Sequence, residues 1–156
     1  ATIEVVEHLE IIEFFVKKID GRIPLIAGTG ANATKEAIYL TDSAKDLGVD
    51  AVLLVTPYYN KPNQEGLYQH YMSIADSVEI PQILYNVPSR TAVHIESKTV
   101  SKLAQHQKML QGIWRSLNNL INYVPLRFKT ILFVCILAMM RHPVNSLREA
   151  VMAVYL

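Results

Sequence analysis

One cysteine, one tryptophan and six glycines are spread over 156 residues, and each scarcity excludes something. A lone Cys135 cannot build an internal disulfide framework, and its presence fits a reducing compartment. It lies in an apolar run unsuited to a reactive thiolate, and no Gly-x-Ser-x-Gly elbow occurs, so cysteine and serine hydrolase chemistry both lose ground. No basic block exceeds two residues, and fifteen Lys and Arg against fourteen Asp and Glu leave a net charge of +1. A nucleic-acid partner has no electrostatic footprint here. The longest apolar run, residues 131–140, is about half the length needed to span a bilayer. The first residues show neither an initiator Met nor the basic-then-apolar order of a signal peptide. The five histidines, His8, His70, His94, His106 and His142, have no metal-ligand spacing. The expectation is a cytoplasmic protein with no metal, no membrane and no nucleic-acid partner.

What is present is a chain 51% apolar and 19% charged, a composition that folds. Residues 3–18 carry Val5, Val6, Leu9, Ile12, Phe15 and Val16 at helical spacing, with Thr2 as the expected cap and Lys17 and Lys18 in the last turn. Residues 24–30 form a short apolar run closed by glycines, the pattern of a buried strand. Asn32 is placed to cap the next helix, whose apolar positions are Ala33, Ala37, Leu40, Ala44 and Leu47 before Gly48 stops it. Residues 51–57 and 81–88 read as further buried strands. Between them Asn63 opens a helix with Leu67, Tyr71, Ala75 and Val78 on one face. Residues 96–105 read as a last short helix with Val100, Leu103 and Ala104 inward.

Strands starting near 24, 51 and 82 give a βα unit about every thirty residues, the period of an eight-fold βα barrel. Alternation of this kind implies a parallel α/β sheet. A doubly wound sheet has the same period. After about Leu110 the rhythm ends: residues 111–156 hold five basic residues against a single acid, Glu149, and no clear stripe.

In parallel α/β folds the reacting groups gather at the carboxyl ends of the strands. Those ends read Gly28-Thr-Gly-Ala-Asn32, Thr56-Pro-Tyr-Tyr-Asn60 and Tyr85-Asn-Val-Pro-Ser-Arg-Thr91. The first lacks the last glycine of a dinucleotide fingerprint and the Gly-Lys-Ser/Thr of a P-loop; a strand-to-helix turn with an Asn cap accounts for it better than phosphate binding does.

Residues 21–34, 56–62, 64–70 and 81–91 together closely resemble the dihydrodipicolinate synthase family, in the right order and without a gap from Ala1 to about Leu110. The resemblance implies an incomplete (β/α)8 TIM barrel, about three βα units over residues 1–110, with residues 111–156 an unmatched tail. It implies a lyase, free of cofactor, that condenses pyruvate with aspartate 4-semialdehyde through a lysine Schiff base in lysine biosynthesis. The partners implied are those two small molecules, a lysine effector, and further copies in a homo-oligomer that is a tetramer in the family. Tyr85 matches the family's proton-relay tyrosine, Tyr59 the tyrosine that crosses to a neighbouring subunit, and Arg90 the residue that orients the semialdehyde carboxylate. Ala1, His8, Asn32, Glu36 and Tyr58 match the family's lysine-binding positions.

The family's nucleophile is a lysine in a Gly-Ile-Lys strand, and here the chain reads Gly112-Ile-Trp-Arg115. Ile113 or Trp114 stands at the lysine position, depending on how the segments are matched, and neither forms an imine. The relay's Thr-Thr pair would precede Ala1. Shifting the tail's reading frame by one base turns Met139-Met140 into an Asp codon and permits Leu-Tyr-Ser-Gly-Asp-Asp-Ala-Thr, similar to the family's continuation, so the tail reads as out-of-frame sequence. This leaves three readings: an inactive fragment of a dihydrodipicolinate synthase, a relative of another pyruvate aldolase such as N-acetylneuraminate lyase, or a non-catalytic lysine-binding or interface module.

Overall fold

The computed structural model describes residues 3–105, 112–115 and 132–134. Strands β1 (Leu25–Gly28), β2 (Ala51–Val55) and β3 (Gln82–Asn86) alternate with helices α1 (Val5–Ile19), α2 (Thr34–Leu47), α3 (Gln64–Ser77), α4 (Pro88–Thr91) and α5 (Ser97–Ala104). Two more strands, β4 (Gly112–Arg115) and β5 (Leu132–Val134), join a five-stranded sheet of order β4-β3-β2-β1-β5. All four pairings are parallel.

Side chains alternate across a strand, so each strand feeds two faces. Leu25, Ala27, Val52, Leu54 and Leu84 share one core with Ile12 and Phe15 of α1, Ala37 and Ala44 of α2, Leu67, Tyr71 and Ile74 of α3, and Leu103 of α5. Burying each large apolar side chain of this set contributes roughly 1.5–3 kcal/mol. Ile26, Ala51, Leu53 and Ile83 form a second cluster, which takes no residue from those helices. The helices that build the core therefore all lie on one side of the sheet. A doubly wound sheet would cover both faces and reverse its strand order at a switch point. Here β1 to β4 follow one another in one direction with the helix-built core on one face, and β5 returns to the far side of β1.

Local chemistry explains the element ends. Gly48 closes α2 at φ 97°, a left-handed position, and its N–H reaches the Ala44 and Lys45 carbonyls. Asn63 caps α3 through its side chain, which accepts from the Gly66 N–H at 2.8 Å. The Asn32 cap does not form. Ala33 occupies the N-cap of α2 without a side-chain bond, and the Asn32 carbonyl instead accepts from Asn60 Nδ2 at 3.2 Å. Asn32 lies one residue too early, because the chain stays extended through Ala33 before α2 starts. Helix α1 begins at Val5 with Glu4 as its cap, and Thr2 lies outside the described residues.

Three expected core positions face water: Val6, Ala33 and Ala104. Apolar identity at a helix end does not guarantee a neighbour to pack against. The strand expected over residues 81–88 spans Gln82–Asn86, and Pro88, with its fixed φ, opens the single turn of α4 instead. The sheet also goes on past Leu110: β4 lies beside β3, and β5 covers the outer edge of β1. Short strands of mixed composition carry too little periodicity to be seen against a tail of irregular pattern.

Candidate functional site

The three strand-end motifs meet along one edge of the sheet, since β1, β2 and β3 are adjacent and parallel. Register fixes the details: Val55 stands opposite Tyr85, and the Thr56 N–H donates to the Tyr85 carbonyl at 3.0 Å. The first motif is seated by a close approach. Thr29 and Gly30 both donate backbone N–H to the Leu53 carbonyl, at 3.1 and 3.3 Å. A Cβ on Gly30 would meet the Val55 nitrogen at 2.3 Å, so only glycine lets the loop cross β2 here.

Tyr85 is half-buried and packs against the Ile26, Ala51, Leu53 and Ile83 cluster, on the face away from the helices. On β4, Trp114 occupies the register position beside Tyr85, and Ile113 stands beside Leu84. Tyr59 is 90% exposed at φ 69°, with the Asn60 N–H donating to the Tyr58 carbonyl at 2.8 Å across it. That is a three-residue turn with a positive φ at its centre, a strained conformation for any residue with a Cβ. Arg90 lies exposed in α4, whose N–H groups at Arg90 and Thr91 return to the Val87 carbonyl.

The second constellation is drawn together by Glu36, in the first turn of α2. His8 on α1 is half-buried, and burial lowers its pKa, opposed by a backbone hydrogen bond with Gly28 and by the Glu36 carboxylate. Its Nε2 is buried with no hydrogen-bond partner among the described residues. Tyr58 has its phenol pKa raised, first by burial and then by Glu36. Asn32 joins through Asn60 of the same loop. Four of the five expected positions therefore share one end of the molecule, and Ala1 lies outside the described residues.

Sequence reading assigned no role to four residues that hold the site together. Asn86 is buried at the end of β3; its Oδ1 accepts from the Ile95 N–H at 3.3 Å and its Nδ2 sits 3.1 Å from His94 Nδ1. Gln64 bridges α3 to the α4–α5 connection and to α5: Nε2 donates to the His94 carbonyl, and Oε1 accepts from the Glu96 N–H and the Thr99 hydroxyl. Thr56 and Thr91 are buried and bonded to each other at 3.2 Å. The available signal was a polar residue next to an apolar strand, which is the usual sign of a satisfied buried group. Among the described residues no cluster of three or more His, Cys, Asp and Glu could hold a metal ion. None of the described helices is long and apolar enough to cross a membrane.

The model of the dihydrodipicolinate synthetase family matches residues 1–133, which carries the likeness beyond residue 110 and through β4. The chain is 62% identical over 104 residues to the 4-hydroxy-tetrahydrodipicolinate synthase of Pseudomonas putida (strain W619), a match covering 67% of this chain and 36% of that one. Its fold is similar to the crystal structure of the chloride-inhibited dihydrodipicolinate synthase from Acinetobacter baumannii complexed with pyruvate. There the TM-score is 0.71 at 56% identity, over 73% of this chain and 39% of that one. The enzyme from Cyanidioschyzon merolae with lysine bound gives a TM-score of 0.72 at 36% identity, over 76% and 41%. The chain thus spans little more than a third of the length of its curated relatives. On its motifs, its parallel α/β sheet and these matches, the chain belongs to the dihydrodipicolinate synthetase family.

Proposed function

We propose that this chain carries part of the active site of a 4-hydroxy-tetrahydrodipicolinate synthase, which condenses pyruvate with aspartate 4-semialdehyde through a lysine Schiff base. The observation that carries this reading is the family match over residues 1–133, in a chain whose Tyr59, Tyr85 and Arg90 follow the carboxyl ends of adjacent strands or lie on them. The whole protein then closes an eight-fold βα barrel, of which this sheet is a segment. In that setting the Tyr85 phenol relays protons at the imine, because a phenol donates and accepts without changing place. Tyr59, held outward by its turn, reaches toward a second copy in a homo-oligomer, a tetramer in the family. Arg90 offers a planar pair of donors to the semialdehyde carboxylate. His8, Asn32, Glu36 and Tyr58 form the lysine-effector site, with the Glu36 carboxylate pairing the ammonium; the lysine-bound relative supports this. The names of the relatives favour this function over that of N-acetylneuraminate lyase.

The chain as it stands does not catalyse the condensation. Capture of pyruvate needs a lysine amine on the strand next to Tyr85, and that register position holds Trp114. We propose further that residues 111–156 are out-of-frame sequence, a reading that the family match as far as residue 133 opposes; the coding DNA around Leu110 tests this directly. Incubation with pyruvate and borohydride tests the chemistry. The expected outcome is no covalent adduct on the chain itself, an adduct on Trp114→Lys, and none on Ile113→Lys. An adduct on the unmodified chain, mapped to Lys129, would overturn the assignment.

A further inference from the structure

The Thr91 hydroxyl has a complete set of partners. It accepts from the Thr56 hydroxyl at 3.2 Å and from the Val93 N–H at 3.3 Å, and it lies 3.1 and 3.0 Å from the Val87 and Val93 carbonyls, one of which takes its single proton. A hydroxyl supports two acceptor bonds and one donor bond, so nothing more can be added. Both threonines are buried, Thr56 at 0% and Thr91 at 4% exposure, where a lost partner is costly. Thr56 follows β2 and precedes the Tyr58-Tyr59 turn, while Thr91 ends α4 immediately after Arg90. The bond therefore ties the two motif-bearing loops to each other, across a sequence separation of 35 residues.

Arg90 itself is exposed on a helix of one turn, followed by Ala92 at φ 55°. Such a turn has little of its own to hold it: two bonds to the Val87 carbonyl and one from Ala92 to Pro88. The Thr91 side chain supplies the remaining anchorage. We propose that Thr91 is a positioning residue for carboxylate recognition, fixing the Arg90 guanidinium relative to the Tyr58-Tyr59 loop through Thr56. This rests on the reading of Arg90 as the carboxylate-binding residue.

The 156-residue chain itself serves for the test, with succinate as the carboxylate probe and the Arg90 side-chain N–H resonance as the reporter. Thr91→Val keeps the shape of the side chain and deletes every hydrogen bond of the hydroxyl; Thr91→Ser restores the hydroxyl. The expected result is that Thr91→Val weakens succinate binding by about fivefold and speeds exchange of the Val93 amide by about tenfold, the scale of one or two lost hydrogen bonds. Thr91→Ser returns both near the starting values, and Thr56→Val gives a smaller effect of the same sign. Arg90→Ala separates the two claims. If Arg90→Ala abolishes binding and Thr91→Val leaves it unchanged, the positioning role is overturned while the Arg90 reading stands. If the chain binds no succinate, or Arg90→Ala binds it as well as the unmodified chain does, the Arg90 reading falls and the proposal falls with it. Loss of binding in both Thr91→Val and Thr91→Ser also overturns the proposal, because the hydroxyl is then not what matters.

Discussion

At the N-terminal ends of the strands, the chain turns with residues suited to the task. Asp20, Gly21 and Gly48 take the left-handed conformations there. Asp50 closes β1 against β2, its N–H donating to the Leu25 carbonyl at 2.9 Å and its Oδ2 accepting from the Leu25 N–H at 2.7 Å. At the C-terminal ends the same backbone conformation falls on Tyr59, Lys61 and Ala92, none of which is favoured in it. The polar groups there are also buried: Thr29 with Thr41 at 2.9 Å, Thr56 with Thr91, and Asn86. One end is built for closure and the other holds strained or desolvated groups in place. That polarity is the general division in βα architectures between a stabilising face and a functional one.

Gly30 gives the largest expected effect, and it tests whether the functional end is fixed by backbone contact. Alanine there would drive its Cβ into the Val55 nitrogen and to 3.0 Å from two Leu54 backbone atoms, and backbone cannot swing aside as a side chain would. Gly30→Ala is expected to destabilise by more than about 3 kcal/mol, beyond the usual cost of overpacking. The measurement is the denaturant midpoint. Gly28, where a Cβ would meet nothing within 4 Å, is the control, and Gly28→Ala should cost far less. Equal effects at the two glycines would show that the crossing is looser than its geometry.

His70 tests the helix layer beneath that end. Its Nδ1 is 2.9 Å from the hydroxyl of Thr34, the residue that opens α2, and its Nε2 is buried without a partner among the described residues. Burial lowers its pKa from 6.5 to about 4. In the folded chain the imidazole therefore stays neutral while the unfolded chain protonates it from pH 6.5 downward. The stability contributed is fully present above pH 6.5 and falls with pH through the window to about 4. The loss across that window is about 3 kcal/mol. His70→Gln should flatten the slope of stability against pH between 4 and 6.5 and leave the profile above 7 parallel to the original. An unchanged slope would move the acid sensitivity to another group.

The difference in legibility between the two ends has a physical cause. Strands β1 to β3, the helix stop at Gly48 and the Asn63 cap were readable because each rests on local chemistry: an apolar run, a left-handed position, a side chain reaching its own helix. Tyr59, Tyr85 and Arg90 were readable only through family motifs, since nothing local distinguishes a functional tyrosine from a packed one. The Thr56–Thr91 bond, the Asn86 contacts and the Gln64 bridge span 35, 9 and 35 residues at most, and such pairings leave no periodic trace. The misplaced Asn32 cap belongs to the same class. Asn32 was assigned by local rule to a helix, and its carbonyl was recruited instead by Asn60, 28 residues away. The added strands β4 and β5 depend on sheet edges that only the assembled fold provides.

The smallest effect expected here sharpens the comparison most directly, because it asks whether strain at Tyr59 is tolerated for what the residue presents. Tyr59 is 90% exposed, so its ring contributes almost no burial within this chain, while φ 69° places a Cβ-bearing residue where glycine is at ease. Tyr59→Gly removes that conformational cost and adds back some unfolded-state entropy, two terms of opposite sign of which the first is the larger. Relief of strain is of order 1–3 kcal/mol, and the glycine penalty is at most about 1 kcal/mol, so a net gain near 1 kcal/mol is expected. Tyr59→Ala separates the terms, since it loses the ring yet keeps the strain, and it should leave stability nearly unchanged. Equilibrium unfolding of the three chains in parallel reads this out. A stabilised glycine variant beside an unaltered alanine variant would mean that the turn, and not the ring, is the source of the cost. If Tyr59→Ala instead destabilised the chain, the ring would have to be packed in solution, and the outward tyrosine that the subunit-crossing role requires would be gone.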